Sequence, residues 1–125
     1  MLRYLLDEHI SPAVAEGVAG KRPGIRIASL HRWKNGKLVG GTDREVLVEA
    51  SSRHLTLVTY DCRTIPPLLS ELAQDGISHA GVLFVDELTI ASNNFGALIA
   101  ALADFWTTHK SLNWRNRISY LTKRC

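Results

Sequence analysis

The chain has 125 residues, with 15 Lys plus Arg against 12 Asp plus Glu, a formal charge of +3, and 46% hydrophobic side chains. That composition excludes a disordered chain and suits one domain over residues 1–125, large enough to hold a core without disulfides or structural metal. No apolar run approaches the roughly 20 residues a bilayer demands and no signal-peptide order opens the chain, so a soluble, cytoplasmic protein with no membrane partner is expected.

Leu2 to Leu6 is short and almost wholly apolar and ends at Asp7 and Glu8, which suits a strand buried on both faces. Ser11 followed by Pro12 reads as a helix start, and Gly20 as its stop. Ile25 to Leu30 is a weaker strand candidate. Thr42-Asp43-Arg44-Glu45 fits a capping box for a second helix whose inward stripe is Val46, Leu47 and Ala50. LTLVTY, Leu55 to Tyr60, is the next buried strand, and a short helix follows Pro66 and ends near Gly76. AGVLFV, Ala80 to Val85, is a further buried strand. The longest helix is expected from about Ser92 to Thr108, capped by Asn93 or Asn94, with Phe95, Leu98, Ile99, Leu102, Phe105 and Trp106 as its core face. Ile118 to Leu121 closes the series as a weak strand.

Strands alternating with helices imply an α/β fold, a three-layer α/β/α sandwich around a mostly parallel five-stranded sheet with right-handed crossovers. In such sheets the functional crevice lies beyond the carboxyl ends of the strands, where strand order reverses. Asp7, Asp61 and Asp86 each follow a buried strand, half of the six aspartates in the chain. Each alone is a natural turn opener. If the first and third strands are neighbours, however, Asp7 and Asp61 enter one crevice, and carboxylates that close need a proton or a cation between them. Magnesium suits oxygen donors and keeps several waters, so two or three carboxylates suffice. Asp43, in a helix first turn, is the third candidate donor, although acids also belong there to complement the helix dipole.

Charge is uneven along the chain. Lys21 to Lys37 holds six basic residues and no acid, and five more follow Asp104, while Thr64 to Asp104 has acids and no Lys or Arg. The basic segments suit a polyanion such as nucleic acid, or simply a solvated surface. Trp33 and Trp114, one in each, are either base-stacking or core residues. Cys62 and Cys125 have no metal-ligand spacing and are expected as free thiols.

MLRYLLDEHISPAVAEGV, GGTDREVLVEA and LTLVTYD together resemble the short PIN-like proteins, relatives of PIN-domain ribonucleases that include VapC-type toxins. The resemblance implies a cluster of acids around magnesium or manganese that cuts RNA, leaving a 5′-phosphate and a 3′-hydroxyl. Asp7 matches the family's first aspartate, Asp43 its helix acid, and Asp61 the first of a later pair. Arg63 stands where that pair's second acid is often found, and a guanidinium there suits a phosphate instead. Glu8 matches a common neighbour of the first aspartate, and Asp86 is a further candidate.

Arg32 and Lys34 are the first candidates for holding RNA, and His9 is a possible ligand, proton shuttle or cap. Thr59 is either a hydrogen-bonding residue within the crevice or simply a β-branched residue suited to a strand. The resemblance further implies a homodimer and, for a toxin, a small antitoxin over the crevice. Two other readings stand beside this one. The first is a PIN-like module that binds RNA or a partner without cutting it. The second is a receiver-like phospho-acceptor domain, with Asp7 and Glu8 as the acidic pair, Asp61 as acceptor and Lys123 as the late lysine.

Overall fold

The chain alternates β1 (Tyr4–Leu6), α1 (Pro12–Lys21), β2 (Ile27–Ser29), α2 (Asp43–Ser52), β3 (Thr56–Thr59), α3 (Ile65–Gln74), β4 (Val82–Phe84), α4 (Phe95–His109) and β5 (Ile118–Tyr120), with a 3-10 turn at Trp33–Gly36. These elements are those of a computed structural model that describes residues 1–124, apart from the Lys34 side chain. The strands form one all-parallel sheet in the order β2-β1-β3-β4-β5. Helices cover both faces, giving the expected three-layer α/β/α sandwich. Among the described residues no helix is long and apolar enough to cross a membrane.

Side chains of the central strands alternate between two cores, which is why β1 and β4 are wholly apolar and β3 is apolar between two buried threonines. Tyr4, Leu6, Val58 and Leu83 pack with Val14 and Val18 of α1 and Leu98, Leu102 and Ala103 of α4. Leu5, Leu57, Val82 and Phe84 pack with Val46, Leu47 and Ala50 of α2 and Ile65, Leu69 and Leu72 of α3. The helix starts follow local chemistry. Ser11 Oγ accepts from the Ala13 amide at 3.2 Å, with Pro12 in the first turn. Thr42 Oγ1 accepts from the Glu45 amide at 3.1 Å. Asn94 Oδ1 accepts from the Ala97 amide at 3.3 Å, so α4 begins later than Ser92. Ser92 instead donates to Glu87 Oε1 from its amide and hydroxyl, closing the preceding loop. Phe95, expected in the core face, is 39% exposed because it stands at the first helical position, before the apolar stripe turns inward.

Crossover handedness departs from expectation. The β1→β2 and β4→β5 steps run toward opposite edges of the sheet, yet α1 and α4 pack against each other on one face. The β4–α4–β5 crossover therefore has the opposite hand to the other three, against a strong general preference. The apolar face of Tyr4, Leu6, Val58 and Leu83 supplies the reason, since α1 alone leaves much of it uncovered. Long connections on either side of α4 release the constraint. The buried Tyr4 hydroxyl donates to Leu102 O at 2.9 Å, and Trp106 Nε1 donates to Leu2 O at 3.0 Å, fixing α4 across β1.

The approach of α1 to α4 depends on Gly17, where an added Cβ would lie 2.2 Å from Ile99 Cδ1. Gly17→Ala is expected to lose about 1–3 kcal/mol by overpacking, despite the roughly 1 kcal/mol that alanine gains in helix propensity. Denaturant unfolding of Gly17→Ala, Ile99→Ala and the double variant checks this. The double variant should lose less than the sum of the two single losses, and strict additivity would contradict the contact.

Cys62 is disulfide-bonded, which corrects the expectation of a free thiol, and Cys125 lies outside the described residues. Sequence spacing alone gives no geometry from which a disulfide can be read. Trp114 is a core residue whose indole N–H donates to His109 O at 3.0 Å. Trp33 is half-buried, with its N–H 3.4 Å from Glu49 Oε1.

Candidate functional site

Strand order reverses between β1 and β3, and Asp7 and Asp61 emerge there from the carboxyl ends of the two adjacent strands. Asp7 is only 7% exposed. Its Oδ1 accepts from the Glu8 amide at 2.8 Å and its Oδ2 from the buried Thr59 hydroxyl at 2.8 Å. Thr59 Oγ1 in turn accepts from the Asp61 amide at 3.0 Å. One threonine thus ties the first carboxylate to the backbone of the second acid, as its place at the end of β3 allows.

Asp61 opens the turn into α3. Its Oδ1 accepts from the amides of Arg63 and Thr64 at 3.0 and 2.9 Å, and its Oδ2 accepts from the Thr64 hydroxyl. Thr64 occupies the N-cap position of α3 but makes no side-chain cap, which leaves its hydroxyl to the carboxylates. The same hydroxyl oxygen lies 3.2 Å from Asp43 Oδ2 in the first turn of α2. A hydroxyl has one proton, so it serves only one of the two carboxylates at a time. The other then faces a lone pair, an arrangement that a proton or a cation relieves.

Burial pulls the Asp61 pKa upward, but the Thr64 hydroxyl and amide, the Arg63 amide and the nearby His9 outweigh it and hold the carboxyl below its ordinary value of 3.8. A carboxyl with a depressed folded pKa stabilises the fold fully above its unfolded pKa and loses that contribution as pH falls through the folded value. Wild type is therefore expected to weaken below about pH 4 more steeply than Asp61→Asn. Thermal unfolding between pH 2 and 6 checks this, and parallel curves for the two proteins would contradict it.

The other sequence candidates are placed as follows. Glu8 is half-buried, with one carboxylate oxygen 3.4 Å from the Gly40 amide, and its carbonyl meets His31 Nε2, so it braces the loop before α2. Asp86 caps the turn after β4, accepting from the Thr89 hydroxyl at 2.7 Å, with the Leu88 amide at 3.4 Å. Nothing among the described residues joins Asp86 to Asp7 or Asp61. Arg63 is exposed beside Asp61, and its guanidinium has no carboxylate partner among the described residues. Arg32 is paired with Glu16 of α1, and the Lys34 side chain lies outside what the structure describes. Thr64 was missed by the sequence analysis. Its only signal is a position three residues after Asp61, just ahead of a proline-bearing helix.

The donors that meet here are all oxygen, which is the chemistry of a hard divalent cation. Among the described residues, no group of three or more His, Cys, Asp or Glu side chains is arranged to hold a metal as it stands. Magnesium bound through one or two carboxylates and its own waters needs no such triad. Thr59 links the Asp7 carboxylate to the Asp61 backbone amide, and the Thr64 hydroxyl links the Asp61 carboxylate to that of Asp43, so the three acids lie at one end of the sheet. Comparison of the chain with protein-family models, with curated proteins and with solved structures returns no match.

Proposed function

We propose that this chain is a magnesium- or manganese-dependent endoribonuclease of the PIN-like kind. The observation that carries this reading is the buried Asp7, bound through Thr59 to Asp61 where strand order reverses. Asp7 and Asp61 hold the cation and Asp43 completes its anionic side. When bound, the cation supplies a water of lowered pKa and stabilises charge on the attacked phosphodiester. Thr59 and Thr64 fix the carboxylates, and backbone amides together with the Thr64 hydroxyl hold Asp61 ionised. Arg63, exposed and without a carboxylate partner among the described residues, takes a phosphate of the substrate strand. His9 is exposed near Asp61 and suits proton movement to solvent. A homodimer, a small antitoxin over the crevice and a cytoplasmic location belong to the same reading.

Strand order favours one other reading, because β2-β1-β3-β4-β5 is also the flavodoxin-like order of receiver domains. Asp61 Oδ1 accepts two amide hydrogen bonds and Oδ2 accepts one, so Oδ2 keeps a lone pair and hydrogen bonding alone does not separate the two readings. Labelling of Asp61 by acetyl phosphate would favour the receiver. The direct test of the nuclease incubates purified protein with single-stranded RNA, with magnesium or manganese and with chelator. Products with 5′-phosphate ends that require the metal are expected. RNA bound but never cut would replace the enzyme with a binding module.

A further inference from the structure

We infer that a cavity at the opposite end of the sheet binds a phosphate-bearing small molecule of nucleotide size, independently of the carboxylate site. The cavity encloses about 470 Å³, within the range of small-molecule sites. It opens at the amino ends of the strands, where Thr56 begins β3 and Ala80 precedes β4. No aspartate or glutamate lines it, while His54, His79 and Arg115 do.

His79 supplies the decisive detail. It is 7% exposed, and its Nδ1 accepts from the Gly81 amide at 3.0 Å, which places the ring proton on Nε2. That N–H has no hydrogen-bond partner among the described residues, yet no buried side-chain polar atom there lacks one. Nε2 therefore reaches open space, which beside His79 is this cavity and the groove continuing from it past Ile77 and Asn116. Arg115 stands at the rim. Its Nε and Nη2 donate to Ser78 Oγ at 3.3 and 3.0 Å, which orients the guanidinium and leaves three of its five N–H groups unused. No carboxylate among the described residues pairs with it. Fork-shaped donors beside a neutral imidazole N–H match a phosphate monoester, and Trp114 and Leu112 give an apolar wall for a base. Gly81, at φ +101°, lets the backbone beside His79 pack directly against the Trp114 wall, since an added Cβ would lie 2.9 Å from Trp114 Cε3.

Isothermal titration in magnesium-free buffer with adenosine 5′-monophosphate, inorganic phosphate and adenosine tests this. The monophosphate should bind wild type, adenosine should not, and Arg115→Ala and His54→Ala, both at exposed positions, should each weaken binding at least tenfold. Asp7→Asn should bind as wild type, which separates this site from the nuclease reading. Absence of binding at millimolar monophosphate, unchanged affinity in Arg115→Ala, or loss in Asp7→Asn would each overturn the inference.

Discussion

Asp7→Asn is expected to lower metal-dependent RNA cleavage by on the order of 10²-fold or more, the scale set by losing one preorganised electrostatic group. The fold should hardly notice. Asn keeps the oxygen that accepts the Glu8 amide, and burying an amide costs less than burying a carboxylate. Thr59→Val is the complementary variant, with the opposite balance. It preserves shape but leaves Asp7 Oδ2 and the Asp61 amide without their shared partner, at about 1–3 kcal/mol. Cleavage rates beside denaturation midpoints separate the two roles. If Asp7→Asn cut RNA at the wild-type rate, Asp7 would be a turn residue and no more.

Trp114→Ala is expected to cost about 3–5 kcal/mol, a large share of the roughly 5–15 kcal/mol that holds a domain of this size. Trp114 is 7% exposed, its ring centroid lies 5.8 Å from that of Phe105, and its N–H satisfies His109 O at the end of α4. It also seats against Gly81, so it anchors the return from α4 to β5 on which the odd-handed crossover depends. Urea unfolding gives the number. A loss below about 1 kcal/mol would place the indole at the periphery.

The central strands β1, β3 and β4 were legible because they are buried on both faces and read as largely apolar runs leading to an aspartate, whereas the edge strands β2 and β5 are only partly buried and carry a weaker pattern. The helix starts were legible because Ser11, Thr42 and Asn94 cap by local rules that need no tertiary contact. Placing Asp7 beside Asp61 needed only strand adjacency, which the sheet supplies. Other features had no local signal. The face taken by α4 follows from an uncovered apolar surface assembled from three strands. Thr64 joins Asp43 to Asp61 only because α2 and α3 start side by side. Arg32 had a basic neighbourhood in sequence, but Glu16 of α1 claims it in space. Trp114 lies in a basic stretch and is core nonetheless, because burial depends on the return loop rather than on neighbouring charge.

Titration calorimetry with manganese on wild type and Asp7→Asn probes the shared carboxylate site most directly. One binding event in wild type that vanishes in Asp7→Asn is the predicted result. Equal heats from both proteins, or none from either, would contradict it.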